Sequence, residues 1–178
     1  MDIANIPYQL EVVPYAEFAA SKSDTARFPL GQMPVLTLPD GKLVTQSVAI
    51  ARYVAKRANL YPEDPLEALF VDEIIDVTSD VISSAPQNPD NDIKKQLREE
   101  WAANKLAKFL AFFSTKVQGG GYLVGGRLTV ADIFLYNVIR ALRSGSYDYV
   151  PTDVDAAFPA LGAYYDFIKA DAVFAPHA

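Results

Sequence analysis

"GQMPVLTLPDGKLVTQSVAIARYVA", residues 31–55, changes rhythm partway along. Residues 34–38 form a short apolar run and read as a strand. Pro39, Asp40 and Gly41 then make a tight turn, because proline pre-sets φ and glycine accepts φ > 0. Residues 42–45 read as the returning strand of a hairpin. After that the period is helical: Val48, Ala51, Val54, Ala55 and Ala58 recur at i, i+3 and i+4 steps. The uncharged pair Gln46-Ser47 stands where the two rhythms meet. The first N–H groups of a helix have no partner inside it, and the helix dipole adds partial positive charge there. A serine at that point is either a cap or a hydroxyl added to an anion site; the sequence leaves both open. Met33-Pro34 raises a related point, since a proline opening a strand after a loop is a natural place for a cis peptide bond. In that geometry the Met33 backbone faces outward as an edge with which an extended peptide pairs.

Around this stretch the chain has two rhythms. Before it, residues 8–13 alternate partly and end at Pro14, which reads as another strand. Residues 58–64, "ANLYPED", read as a linker. Then Asp64 as N-cap, Pro65 at the first helical position and Glu67 completing a capping box predict a helix to about Ala85, stopped near Pro86. In the next helical pattern Leu106, Leu110, Phe113 and Val117 line one face, and the glycine-rich "QGGGYLVGGR" interrupts it. Thr129 and Asp132 form a second capping signature, with Leu128 and Ile133 placed for a hydrophobic staple. The helix they start runs to about Leu142 and is apolar on nearly all sides, as a helix in the middle of a bundle is. A last helix is predicted over 156–170. The fold class is therefore α+β, with a small α/β part over residues 1–58 and an all-helical part over 65–178.

Composition narrows the chemistry. With 178 residues and 51% hydrophobic residues the chain can bury a sizeable core. A net charge of −6 argues against nucleic acid, which is held by cationic side chains on phosphates, and against anionic membrane surfaces. There are no cysteines, which excludes disulfides, thiolate zinc sites and cysteine nucleophiles. His177, the single histidine, lies at the C-terminal end and reads as a bystander, so no histidine triad or His-ligated metal site is expected. The glycine-rich stretch lacks the feeding strand and the lysine of a phosphate loop. The start, "MDIANIPYQLEVV", does not read as a signal peptide, and no apolar run is long enough to span a membrane. A cytoplasmic location is expected.

The block over 31–55 closely resembles the glutathione-binding core of cytosolic glutathione transferases, nearest to the sigma class. "TVADIFLY" is similar to the capping-box helix of that family's second domain. The resemblance runs from about Ile6 to Val173. It implies a thioredoxin-like domain joined to an all-helical one, and a homodimer. It also implies conjugation of the glutathione thiol to apolar electrophiles held between the domains; non-catalytic glutathione-binding or structural members of the same scaffold are the alternative. Carried over residue by residue, Met33 beside cis-Pro34 pairs with the cysteinyl backbone, and Gln46 and Ser47 hold the γ-glutamyl carboxylate. Phe18 falls near the family's usual tryptophan, and Lys22 near a lysine reaching the glycyl carboxylate. Asp80 matches an acidic residue that reaches the glutathione amine across a dimer. Asp72, Asp76 and Asp80 share one helical face; a solvated stripe is the plainer reading, although like charges at i, i+4 repel mildly and a cationic partner would relieve them. Family members begin with a strand, a loop bearing a catalytic tyrosine or serine, and a helix. About 25 such residues have no counterpart here, given ordinary element lengths, so the thioredoxin-like part is expected to be incomplete. Tyr8 lies in the wrong element to replace that hydroxyl, and no catalytic residue is assigned. Arg140, Arg143, Tyr147 and Tyr149 are candidates to line a cleft for an apolar substrate, or else a solvated helix end.

Overall fold

A proline opens the first helix. The Pro14 carbonyl accepts from the Phe18 N–H at 2.9 Å, and α1 runs Tyr15–Ser21. The computed structural model describes residue 3 and residues 5–177, without the side chain of His177. The expected bystander role of His177 therefore lies outside the described side chains. The chain divides into two compact units, Met1–Leu60 and Tyr61–Ala178.

In the first unit β1 (Leu36–Thr37) and β2 (Leu43–Val44) pair antiparallel, with Leu36 opposite Val44 and Thr37 opposite Leu43. The turn between them is closed by Gly41 N–H on the Leu38 carbonyl (2.9 Å), and Gly41 has the positive φ, 83°, that the sequence called for. Helix α2 spans Ser47–Arg57 and ends where Asn59 enters the left-handed region at φ 57°. Phe28 and Ala55 form the buried centre, and Phe18 meets the Phe28 ring edge-on at 5.2 Å.

The strand expected over 8–13 does not form. Among the described residues the sheet holds only β1 and β2. A strand exists through the ladder beside it, and no described strand lies there to provide one. An ion-pair cluster ties the segment instead: Arg27 reaches Glu11 at 2.6 Å and Glu17 at 2.8 Å. The apolar residues of the segment are left exposed, Leu10 at 73% and Val12 at 76%.

The second unit is helical. Asp64 accepts from the N–H groups of Leu66 and Glu67 at 3.0 and 2.9 Å, and α3 follows over Pro65–Ser84. Only this half of the expected capping box is made. The Glu67 carboxylate lies instead against Gly125, where an added Cβ would come within 3.1 Å of it. Asp90 caps α4 (Asn91–Trp101) in the same way, and a wide π-helical turn over Ala102–Leu106 leads into α5 (Ala107–Lys116). Leu106, Leu110, Phe113 and Val117 are all buried, as their spacing predicted. Helix α6 spans Val130–Arg143 and packs on α3 and on α7, Pro159–Lys169. The last helix starts later than the predicted residue 156. Pro159 fits its first position, and the residue before a proline avoids helical geometry; Phe158 has φ −123° and ψ 72°.

The start of α6 is the best-satisfied polar point of this unit. Asp132, fully buried, accepts from Thr129 N–H (2.8 Å), Thr129 Oγ1 (2.9 Å), Leu123 N–H (2.9 Å) and Tyr164 Oη (2.8 Å). Burial pushes its carboxyl above the ordinary aspartate value, while these donors pull the other way. No described helix is long and apolar enough to cross a membrane.

Candidate functional site

The hairpin brings the two candidate pairs to one end. Met33-Pro34 lies just before the first strand of the ladder and Gln46-Ser47 just after the second. The Met33-Pro34 peptide is cis, and Met33 is 45% exposed. Gln46 precedes α2 with φ 72° and ψ 104°, a conformation that a residue with a side chain enters only at a cost.

Ser47 is the first residue inside the helix, so the capping position belongs to Gln46. Neither side chain makes a hydrogen bond among the described residues, and the reading of Ser47 as a plain cap is overturned. The first intrahelical bond runs from Ile50 N–H to the Gln46 carbonyl at 3.0 Å. The N–H groups of Ser47, Val48 and Ala49 therefore have no acceptor within the helix. No acidic side chain occupies the first turn, while Lys56 and Arg57 sit in the last. The result is an exposed end carrying three free N–H groups, one hydroxyl and one amide, with the dipole favouring an anion.

The other predicted residues are placed as follows. Lys22 closes α1, is exposed, and has no ion-pair partner among the described residues. Gly31 fixes the loop beside it: φ is 60°, and a Cβ there would stand 3.1 Å from the Lys22 carbonyl oxygen. Phe18 is half-buried and engaged with Phe28, so its ring serves the packing of this unit. Asp80 lies in the second unit on α3, exposed, and its carboxylate has no partner among the described residues. The acidic face around it is not uniformly solvated, because Asp72 accepts from the Tyr61 hydroxyl at 2.8 Å.

A second feature was not legible in the sequence. The helical unit holds a cavity of about 220 Å³ between α3 and α6, lined by Ile82, Ile133, Phe134, Asn137, Val138, Ala141 and Tyr147. Asn137 donates to its own helix, to the Ile133 carbonyl at 2.9 Å, so the walls are almost wholly apolar. Of the four residues proposed for a cleft, Tyr147 alone lines it. Arg143 is taken by Asp155 in a two-pronged pair at 2.7 and 3.1 Å, with its Cζ 4.5 Å from the centre of the Tyr165 ring. Tyr149 lies near Lys94, and Arg140 is exposed. Burial pushes the Tyr147 hydroxyl above its ordinary value, and Arg98 pulls it back. Among the described residues no cluster of histidine and carboxylate side chains could hold a metal ion.

Comparison with known proteins gives the same division of the chain. A family model described as "Glutathione S-transferase, N-terminal domain" matches residues 1–57, and one described as "Glutathione S-transferase, C-terminal domain" matches residues 75–174. A glutathione S-transferase of Anopheles gambiae is 31% identical over 151 residues, covering 80% of this chain and 70% of the relative. Glutathione S-transferase S1 of Drosophila melanogaster is 32% identical over 150 residues, covering 80% of this chain and 57% of the relative. Among solved structures, prostaglandin synthase D of Nilaparvata lugens superposes with a TM-score of 0.82 at 27% identity, covering 98% of this chain and 85% of that one.

Proposed function

Because this chain belongs to the glutathione S-transferase family, we propose that it is a sigma-like transferase that binds glutathione on its first unit and an apolar electrophile in its second. The peptide backbone of glutathione pairs along Met33 and Val35, next to Pro34. Its γ-glutamyl carboxylate sits on the start of α2, held by the Ser47 hydroxyl, the Gln46 amide and the free N–H groups. Lys22 meets the glycyl carboxylate, and Phe18 flanks it through the exposed part of its ring. Asp80 serves the amine of a glutathione held by a second copy of the chain, which makes the working form a homodimer. The exposed Leu66, Leu69 and Phe70 on α3 give that dimer an apolar contact. The cavity between α3 and α6 receives the electrophile. The protein works in the cytoplasm.

The observation that carries this reading is the unengaged polar pair Gln46-Ser47 at a helix start, with Gln46 held at positive φ. A side chain kept free beside a strained backbone is what a ligand clamp requires. Retention on immobilised glutathione, released by free glutathione, tests the binding half. Conjugation of a chlorodinitrobenzene electrophile tests the transfer half. No retention would sink the whole reading. Retention without turnover assigns the chain to the second reading, a non-catalytic glutathione-binding protein on the same scaffold. One observation favours that second reading: among the described residues only β1 and β2 pair, and no described hydroxyl is assigned to lower the pKa of the thiol.

A further inference from the structure

The walls of the cavity come from two helices, with one exception. On α6 they extend from Ile133 to Ala141, about 12 Å of helix, and α3 contributes Ile82. Ile82 and Asn137 are exposed, so the cavity opens to water beside them. Among the described residues Tyr147 is the one wall residue outside these helices. It follows Arg143, the last residue of α6, and so stands beyond the C-terminal end of that helix.

A wall carried by a loop limits a ligand only if the loop is held. Helix α4 holds this one with Lys94, Arg98 and Trp101, which share a face at i, i+4 and i+7. The Trp101 indole stacks on the Tyr147 ring at 5.9 Å, with 26° between the planes, and its own Nε1 donates to Ser84 Oγ at 3.1 Å. The Arg98 Cζ lies 5.5 Å from the centre of the same ring, with Nε fixed on the Pro86 carbonyl at 2.6 Å. Lys94 bonds Asp148 at 3.0 Å and lies 5.5 Å from the centre of the Tyr149 ring. The Val150 N–H closes the turn on the Tyr147 carbonyl at 3.1 Å, and Val150 is buried. Trp101 is itself buried and does not line the cavity, whereas Tyr147 does. The Tyr147 ring therefore separates the cavity from the indole.

We propose that Tyr147 is a specificity-determining residue: its ring is the end wall that sets the length of apolar ligand the cavity accepts. The inference rests on the cavity being the electrophile site and deepens that reading, limiting its substrates to uncharged apolar bodies that end at the ring. Each methylene buried in the cavity strengthens binding about fourfold. A methylene with no room short of the ring stays in water and adds nothing. With the ring removed, the face of Trp101 becomes the new end, and longer chains gain the room.

The test uses straight-chain primary alcohols from butanol to dodecanol as neutral probes, titrated by calorimetry without glutathione. In the wild type, affinity should rise about fourfold per methylene up to a break and stay level beyond it. Tyr147→Ala should move the break to longer chains and leave alcohols below the wild-type break within about twofold. Trp101 is the only tryptophan and gives a second readout. In Tyr147→Ala its emission should respond to alcohols longer than the wild-type break and not to shorter ones. No alcohol binding, a wild type without a break, or a break at the same length in both proteins would each overturn the proposal. So would an equal loss of affinity for every alcohol, which is what a purely structural role for the ring gives. If Tyr147→Ala does not fold, Tyr147→Leu must move the break in the same direction by a smaller step, and an unmoved break overturns the proposal. Failure to retain glutathione with the break moved sinks the transferase reading alone, and a retained glutathione site with the break unmoved sinks this one alone.

Discussion

Replacing Ser47 by alanine separates two roles that a serine at a helix start can have. A true N-cap serine changed to alanine costs about 1 kcal/mol of stability, with a range of about 0.5–2. Ser47 lies one residue inside α2 and its hydroxyl bonds nothing among the described residues, so that cost should be missing. Alanine is also the better helix former, by a few tenths of a kcal/mol. The expected change in unfolding free energy is therefore between zero and a slight gain. Affinity should move the other way. A hydrogen bond to a charged carboxylate contributes about 1.5–3 kcal/mol, so glutathione should bind roughly 10- to 150-fold more weakly at about 1.4 kcal/mol per decade. Urea unfolding gives the first quantity and titration calorimetry with glutathione the second. A stability loss of about 1 kcal/mol with unchanged affinity would show that Ser47 caps the helix after all, and the assignment of the clamp would fall with it.

Two further outcomes follow from the helical unit. Asp132→Ala leaves Leu123 N–H, Thr129 N–H, Thr129 Oγ1 and Tyr164 Oη without their acceptor. With about 1–3 kcal/mol per orphaned buried group, and with both hydroxyls free to turn elsewhere, about 3–5 kcal/mol should be lost in urea unfolding; a loss under about 1 kcal/mol would refute that account. Asp171 gives a pH dependence. Burial pushes its carboxyl up, but bonds from Tyr122 Oη and from the N–H groups of Val173 and Phe174 win and hold it below the ordinary 3.8. A carboxyl with a depressed folded pKa stabilises above the unfolded pKa, and that contribution disappears as pH falls through the folded one. The stability gap between wild type and Asp171→Asn should thus narrow as pH drops below 3.8, and a gap constant with pH would contradict it.

What the sequence made legible was local. Asp64-Pro65 and Thr129-Asp132 announce helix starts because their partners lie within three residues, and both starts formed where expected. The buried face of Leu106, Leu110, Phe113 and Val117 follows from helical spacing alone. The errors are non-local. Residues 8–13 alternate like a strand, but a ladder depends on a neighbour that their own composition cannot supply. Glu67 has the right spacing for a capping box, yet Gly125, far along the chain, leaves room for its carboxylate elsewhere. Helix α1 is hard to read in advance because seven residues carry too little periodicity, and Pro14 before "YAEFAA" is its usable signal. The cavity could not be read at all, since Ile82 and Phe134 meet only through the packing of α3 on α6.

The candidate glutathione clamp sits between these cases. Gln46 and Ser47 are adjacent, so the sequence could point to them, but only the backbone shows which of the two pays for the arrangement. Glycine is the residue that takes φ near 72° without steric cost. Glutamine at that position brings a strain of about 1–3 kcal/mol and, in return, an amide that bonds no other described residue. Strain of that size spent on an idle side chain makes no sense for folding alone. It does make sense if the amide and the neighbouring hydroxyl are held ready for an acceptor that arrives from outside, so that little ordering remains to be done when the ligand binds.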